Sequence, residues 1–397
     1  MNNLLKENVI QLYKNKSDCC ACGACMNICP KSAIEMKEDE YGFIYPSINT
    51  DLCIKCGKCR TVCAFQNIEE KNTAKSVYAA SRKDSEKILK STSGGVFAVL
   101  AEKVIENQGI VFGASMEYID NQLVPMHISV DNKEDLKKLQ GSKYVQSFMG
   151  HAYKEAEKYL QEGKRVLFSG TPCQIAGLKA FLKKEYNNLI TVDIVCHGVP
   201  SVKMFHDYIK LCEKRIKGKI KSIKFRDKEQ GWDHVGKLKY TNKLGQDKEE
   251  KLECIRSSYY MMFLDGHINR ENCRKCKYTS KHRPGDITIG DYWGIEEEHS
   301  QFLKKNGGDM DTEKGISCVI INTDKGEKFF NDTKNYFYIH ESEFEKAAKR
   351  NVQLRQPCIS RKRNRILNNY RKFGYELLEI KFQIRLRIKL IYYKLFR

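Results

Sequence analysis

Seventeen cysteines are the residues of this chain whose type and spacing most plainly suggest chemistry, and eight of them form two regular runs. The first run is Cys19, Cys22, Cys25 and Cys29, separated by two, two and three residues and followed by Pro30. The second is Cys53, Cys56, Cys59 and Cys63, with the same gaps and Ala64 in place of the proline. In this spacing three close thiolates wrap one iron–sulfur cube and the fourth reaches across to a second. The expected sets are therefore Cys19, Cys22, Cys25 and Cys63 for one [4Fe–4S] cluster, and Cys53, Cys56, Cys59 and Cys29 for another. Gly23 and Gly57 occupy matching positions in the two runs, where a tight turn must bring peptide N–H groups toward sulfur. Tetrahedral zinc is the competing reading of a Cys-x2-Cys pair, but zinc motifs do not demand the x2, x2, x3 progression that occurs twice here. Cys20 is extra, breaks no spacing, and reads as a neighbouring free thiol.

A further pair, Cys273 and Cys276, lies in a polar, basic stretch. Alone it suits zinc, a redox dithiol or half of a site. Cys173 and Cys196 are expected on a common rim of a sheet and complete a set of four, for which a third [4Fe–4S] cluster, zinc and structural thiols stay open. Cys212, Cys254, Cys318 and Cys358 have no ligand spacing and read as small apolar residues. Ser91, Thr92, Ser93, Gly94 and Gly95 precede an apolar helix, so hydroxyls and unhindered peptide N–H groups meet at its positive end, where a phosphate can be held or a helix simply capped. Gly141, Ser142 and Lys143 invite the same pair of readings. His197, beside a glycine turn, reads as a satisfied histidine next to a candidate ligand.

The elements that position these residues follow from periodicity. A polar stretch at 66–75 reads as a linker, with a boundary near residue 72. Beyond it come a strand at 77–80, a helix at about 95–107, a strand at 110–114, and a helix at 133–139 opened by Asp131 or Asn132. Residues 165–169, 172–182 and 189–195 read as strand, helix and strand, a crossover that makes the strands parallel. Ligands of such sheets bind just past the strands' carboxyl ends, where Cys173 and Cys196 fall. Shorter strands are expected at 220–225, 287–289 and 317–321. The tail is ambiguous: residues 381–390 alternate as a strand would, yet Ile380, Ile384, Ile388, Ile391 and Leu395 make a helical stripe.

Length and composition set the frame. A chain of 397 residues, 41% hydrophobic and 30% charged, suits two or three folded units. No apolar run approaches the roughly 18–20 residues needed to cross a bilayer, and residues 1–17 hold no apolar signal core. A cytoplasmic protein with reduced cysteines is expected, not a disulfide scaffold. The formal charge is +20, and residues 361–397 carry twelve Lys and Arg against Glu376 and Glu379, half of that excess. Such a tail favours anionic partners: an acidic redox protein, a phosphorylated cofactor or, as a peripheral contact at the inner face, anionic membrane. Nucleic acid ranks last, since no recognised binding motif accompanies the charge.

Taken together, the motifs resemble the family of coenzyme F-420 hydrogenase and dehydrogenase beta subunits, in the version with an N-terminal two-cluster ferredoxin. The resemblance rests on STSGG at 91–95, GSKYVQS at 141–147, LFSGTPCQIAGLKAFL at 167–182 and DIVCHGVPS at 193–201. It continues through FRDK and GW at 225–232, the Cys273–Cys276 pair, GDITIGDYWG at 285–294, and KGIS with NTDKG at 314–326. It implies an α+β chain, with a bacterial-type two-cluster ferredoxin domain at 15–70, a larger mixed α/β flavin-binding domain at 75–335, and a basic extension at 340–397. It also implies an oxidoreductase holding FAD, with Ser91, Thr92, Ser93, Gly94, Gly95, Gly141, Ser142 and Lys143 toward the flavin and Cys173, Cys196, Cys273 and Cys276 around a third cluster. The partner would be a hydride donor or acceptor such as deazaflavin F-420, or a redox protein; relatives reduce other substrates, so the fold does not fix which. The rival expectation is a ferredoxin-type electron carrier or scaffold without a flavin.

Overall fold

The computed structural model describes residues 10–67 and 72–395. The centre of the expected linker, residues 68–71, lies outside them, as do the first nine and last two residues.

The N-terminal module is a duplicated turn. Helices Ala24–Ile28 and Lys58–Thr61 each follow a left-handed glycine, Gly23 at φ +83° and Gly57 at φ +73°. Glycine tolerates that backbone without a Cβ penalty, which explains its matching place in both cysteine runs. Strands Ile34–Glu38 and Ile44–Ile48 pair antiparallel between the two helices.

The body is built on one eight-stranded mixed sheet, ordered Phe337–Ser342, Ser76–Arg82, Ser317–Ile321, Ile287–Asp291, Leu189–Ile194, Val166–Gly170, Ile110–Ile119, Gln122–Val130. Its centre is parallel: Ile287–Asp291 beside Leu189–Ile194, then Val166–Gly170, then Ile110–Ile119. The flanking strands are antiparallel. The expected crossover forms, with helix Pro172–Leu182 joining two parallel strands. Thr171 and Gln174 close a capping box at its start, and proline at the first turn loses no needed N–H. Helix Lys133–Leu139 is opened by Asn132, whose side chain accepts from the Asp135 N–H at 2.9 Å. Helix Val96–Glu106 buries six apolar side chains against the same sheet.

Two features extend beyond the elements read from sequence. A separate antiparallel sheet, Gly218–Lys224, Val235–Asn242 and Asp247–Glu253, stands beside the main one. The tail resolves as helix: Arg363–Leu395 is helical, kinked at Gly374. Strand-like alternation at 381–390 therefore yields to the 3.6-residue stripe; the first part of the tail, through Leu367, Tyr370, Tyr375 and Leu378, packs into a core with Met204, Tyr208 and Tyr259, while Ile380, Ile384 and Ile388 stay exposed. Among the described residues no helix is long and apolar enough to cross a membrane.

The cysteine loops do not hang from the body. Cys20, Cys22, Ala24, Val62, Ala64 and Phe65 share one buried cluster with Phe112, Tyr153, Phe168 and Ile175 of the body. The rim that receives them is fixed by a buried ion pair. Arg283 meets Asp193 at 2.6 Å with both side chains at most 1% exposed, and Asp193 also accepts the Gly285 N–H at 2.8 Å. Arg283 donates to the Ile194 carbonyl at 2.9 Å, so one cation ties the strand end to the segment following Cys276. Breaking one partner of such a pair leaves a buried charge unmatched. Asp193→Asn should lower unfolding free energy by about 3–5 kcal/mol, read as the shift in urea midpoint at unchanged slope. A shift under about 1 kcal/mol would mean the pair is not what holds this rim.

Candidate functional site

In the cysteine loops the glycine turns aim peptide N–H groups at sulfur. The Ala33 N–H donates to Cys29 Sγ at 3.3 Å, and those of Ala21, Ala24 and Arg60 donate to Cys19, Cys22 and Cys59. Gln66 Nε2 donates to Cys63 Sγ at 3.3 Å. Cys25 lies close enough to Cys22, Cys19 and Cys63 for their charges to interact, so the fourth cysteine of the second run sits with the first three of the first. Conversely, Cys29 lines one cleft with Cys53, Cys56 and Cys59. Among the described residues no three or more His, Cys, Asp or Glu side chains converge on a single ion-sized point. What the geometry brings together is neighbouring thiols, in the crossed sets the spacing called for.

The third set gathers from three segments of the chain. Cys173 stands in the first turn of Pro172–Leu182, Cys196 just past strand Leu189–Ile194, and Cys273 and Cys276 in and after the turn Glu271–Lys275. All four line one cavity of about 380 Å³, within the roughly 300–1,000 Å³ usual for small-molecule sites. Burial pushes the Cys273 thiol up to about 12 and Cys196 well above its ordinary value, and each lies near the other and Cys173. Thiols so raised stay protonated near neutrality unless a metal or cluster takes them as thiolates.

Cys20, the extra thiol of the first run, is buried between two of these sets. It shares hydrogen bonds with Cys22 and Cys173 that raise its own pKa and lower both of theirs, Cys173 to about 7. The sequence reading of a free bystander thus misses its contacts, which join segments 150 residues apart in the chain.

The same cavity is also lined by Ser91, Thr92, Ser93, Gly95, Gly141, Ser142 and Lys143. Gly94 stands apart from them: a Cβ there would meet the Ala80 carbonyl at 2.1 Å and the Ser317 nitrogen at 2.6 Å, so its role is close packing of the loop on the sheet. Ser93 Oγ donates to the Ile316 carbonyl at 2.9 Å and holds the loop down. Ser142 Oγ donates to Thr92 Oγ1 at 3.4 Å, joining the two candidate segments. Ser91 Oγ is buried without a hydrogen-bond partner. A buried orphan hydroxyl is costly unless a ligand satisfies it, so this wall fits a polar, phosphate-bearing molecule.

Lys143 projects from the same wall, with its ammonium donating to the Lys138 and Gln140 carbonyls at 2.9 and 2.8 Å. Desolvation pulls its pKa down to about 7, with Glu117 acting weakly in the other direction. Its accessible area leaves the residue only half-buried; the stem is what solvent reaches, and the ammonium is enclosed. Lys228 is similar: its ammonium meets the Ile88, Ser93 and Lys314 carbonyls, and burial lowers it to about 7.

Sequence reasoning missed several lining groups. His127 stacks on Phe168 at 5.7 Å and is driven down to about 4 by burial, so it is neutral; its Nε2–H donates to the Ser169 carbonyl at 3.1 Å and its Nδ1 accepts from the Ser147 hydroxyl at 2.9 Å. Trp293 lies flat on Trp232 at 4.8 Å and on His234 at 5.3 Å, with Arg226 over its ring. Arg226 pairs with Asp291 at 2.5 Å, and Trp232 donates to the same carboxylate at 2.9 Å. Asn351, Gln353 and Cys358 reach the cavity from beyond the expected body. The motifs GW and GDYWG marked the tryptophans, but nothing local assigned them to this cavity. His197 is satisfied, by the Phe263 and Leu264 carbonyls and by Gln353 at 2.7 Å.

Two linked cysteine runs and a mixed α/β body with a cavity reaching Cys20 define a protein with an N-terminal 4Fe–4S dicluster domain and a larger α/β body. Residues 18–67 match the 4Fe-4S dicluster domain, and residues 163–347 match the C terminus of the coenzyme F420 hydrogenase/dehydrogenase beta subunit. The chain thus carries a 4Fe-4S dicluster domain ahead of a region similar to the C terminus of coenzyme F420 hydrogenase/dehydrogenase beta subunits. It is 25% identical over 374 residues to a coenzyme F420-dependent sulfite reductase of Methanocaldococcus jannaschii, covering 89% of this chain and 52% of that one. An uncharacterized protein of the same organism is 27% identical over 263 residues, covering 64% of this chain and 62% of that one. One of the subunits of the F(420)H(2) dehydrogenase of Methanosarcina mazei is 23% identical over 339 residues, covering 81% and 84%. The chain thus spans little more than half the length of the first two. A solved F420-reducing [NiFe] hydrogenase complex from Methanosarcina barkeri contains a chain with TM-score 0.44 and 19% identity, covering 72% of this chain and 92% of that one.

Lys143 gives the cavity a pH signature. Held near 7, it is charged below that pH and neutral above, whereas unfolded it keeps its proton to about 10.5. Between those values the unfolded chain binds more protons, so this group's penalty on folding is relieved as pH rises. An anionic ligand gains attraction in the opposite direction, as pH falls through about 7. Added FAD, followed by fluorescence quenching, should bind more tightly near pH 6 than near pH 8.5. Lys143→Met should lose roughly tenfold at the lower pH and little at the higher, whereas Lys143→Arg should bind with little pH dependence. Equal affinities for all three proteins at both pH values would exclude Lys143 from the binding wall.

Proposed function

We propose that the chain is an iron–sulfur flavoprotein oxidoreductase that moves electrons between a hydride donor or acceptor and [4Fe–4S] clusters. Cys19, Cys22, Cys25 and Cys63 would hold one cluster, Cys53, Cys56, Cys59 and Cys29 a second, and Cys173, Cys196, Cys273 and Cys276 a third. FAD would lie against Ser91, Thr92, Ser93, Gly95, Gly141, Ser142 and Lys143. The observation that carries this reading is that one cavity is lined both by hydroxyl and glycine residues and by four thiols, with Cys20 leading from it to Cys22. Bound there, a flavin takes two electrons as hydride and yields them singly to clusters that carry one each.

The residues of the chain place and tune. Ser91 offers its unused hydroxyl, Gly95 opens helix Val96–Glu106 toward the ligand, and Lys143 supplies positive charge that a phosphate or an anionic reduced ring would use. Neutral His127, oriented by Ser147 and the Ser169 carbonyl, presents a polar ring without a charge. The Trp232–Trp293–His234 stack offers flat aromatic surface to a planar partner. Deazaflavin F420 is one such partner, and relatives named for it favour that choice; a partner redox protein would exchange the single electrons. A bare electron carrier has no need of the hydroxyl and glycine wall, which is why the catalytic reading ranks above it. The domain limits 15–70, 75–335 and 340–397 go with the same reading.

Anaerobically purified protein should show flavin absorption and roughly eight to twelve iron and sulfide per chain, two or three clusters of four. Twelve supports the third site and eight confines clusters to the ferredoxin module. Stoichiometric zinc in a colourless protein overturns the proposal, and clusters without flavin favour the carrier.

A second reading concerns the tail and rests on its own observation. Ile380, Ile384, Ile388 and Ile391 are each more than half exposed on one stripe of the last helix, flanked by Lys381, Arg385, Arg387 and Lys389. Apolar groups beside cations fit a peripheral contact with an anionic bilayer at the cytoplasmic face. The whole chain should co-sediment with phosphatidylserine-containing vesicles and not with neutral ones. Replacing Ile384 and Ile388 by serine should cut that binding by about a hundredfold or more, two buried side chains' worth; binding unchanged by the replacement sinks the reading.

A further inference from the structure

Arg270 is fully buried at the junction between the cysteine loops and the body. Its side chain donates to the Cys19 carbonyl at 3.1 Å and to Gln146 Oε1 at 3.4 Å, and its Nη2 has no partner. Among the described residues neither of those partners is charged. The guanidinium lies 4.0 Å from the centre of the Tyr45 ring. Its backbone is pinned at both ends: the Arg270 N–H donates to the Val199 carbonyl at 2.9 Å, and its carbonyl accepts the Cys273 N–H at 3.1 Å. Gln146 in turn donates to the Cys20 carbonyl at 3.3 Å. A guanidinium cannot shed its charge, and burying one without an anion costs several kcal/mol. An unpaired Nη2 on the most deeply buried arginine therefore points to an anion that completes the site.

The groups near Arg270 identify that anion. Its side chain is held against the carbonyl of Cys19, from the first set, and its backbone carbonyl accepts the N–H of Cys273, from the third, so it stands between the two sets. Cys53 and Cys56 of the second set line a separate cleft, and Arg270 is not among the residues that form it. We infer that Arg270 is the common counter-charge of two iron–sulfur clusters, the one held by the Cys19 set and the one held by the Cys173 set. The inference rests on reading those cysteines as cluster ligands. Thiolates and the cube together are anionic, and adding one electron makes them more so, so a nearby fixed cation favours the reduced form. Arg270 is then a positioning and tuning residue, which sets these two clusters apart from the outlying one as the readier electron acceptors.

The test compares Arg270→Lys and Arg270→Gln with the native chain, each reconstituted anaerobically, with iron and sulfide counted and cluster reduction followed by electron paramagnetic resonance during titration with a chemical reductant. Arg270→Lys keeps the charge and should titrate like the native protein. Arg270→Gln should show at least a tenfold smaller reduced-to-oxidised ratio at fixed potential for the first and third clusters, with the second unchanged. Native titration curves in Arg270→Gln at full iron content overturn the inference. Should Arg270→Gln fail to take up iron, Arg270→Lys decides: full loading supports a charge requirement, and loss in both overturns it in favour of shape. A native count of eight irons removes the third cluster and with it the shared role, a failure visible before any variant is made.

Discussion

Cys22 of the N-terminal module and Gly177 of the body's crossover helix meet in close contact. A Cβ on Gly177 would lie 2.8 Å from Cys22 Sγ and 3.0 Å from the Tyr153 hydroxyl, so only a residue without a side chain lets the cysteine loop seat on the crossover helix. That close approach makes the rest of the arrangement possible. It brings Cys20 against Cys173, which stands one turn earlier on the same helix, and merges the loop's apolar residues with the body's core. Without it the two cysteine runs would form a separate electron carrier, and the cavity would have no route toward them. The apolar burial around Phe65, Tyr153 and Ile175 keeps water from the thiols between the sets. In such surroundings charges interact strongly and water does not screen them.

The sheet supplies the second constraint. Its parallel strands all present carboxyl ends to one rim, and the loops leaving that rim carry Thr171, Cys173, Cys196 and Trp293. Buried carboxylates lock those loops: Asp193 through Arg283 and the Gly285 N–H, and Asp286 through the Thr191 N–H at 2.8 Å and the Thr323 hydroxyl at 2.8 Å. Loops held this way are rigid, which suits groups whose job is to position a cofactor instead of closing around it.

What could be read from the sequence was local. The cysteine spacing, the glycine turns and the Pro172–Leu182 helix each depend on residues a few positions apart, and each has one simple physical solution. Position in the cavity was legible for Ser91 to Ser93 because a helix terminus advertises itself. The groups that sequence did not reveal meet across long separations: His127 with Ser169, Trp232 with Trp293, Arg270 with Cys19. Gly94 looked like its neighbours because sequence cannot show which glycine faces a ligand and which faces the Ala80 carbonyl. The tail was undecided for a related reason. Its apolar residues fit two periods, and the packing that anchors its first part, Tyr370 and Tyr375 on Tyr208 and its neighbours, joins residues far apart in the chain.

Charge distinguishes the structural cations from the functional ones. Arg270, Lys143 and Lys228 are the cations buried around the cavity and the thiol junction, and among the described residues each donates to carbonyls or an amide and none to a carboxylate. Arg226, by contrast, has Asp291, and Arg283 has Asp193. The chain therefore pairs a buried cation with its own carboxylate where the role is structural. Where it leaves the cation unmatched, the surrounding groups are thiols, an orphan serine hydroxyl and unblocked peptide N–H groups, all suited to anions. On the reading that Arg270 is the counter-charge of clusters, its buried positive charge would gain a partner when the anionic clusters enter, and loading and stability would rise together.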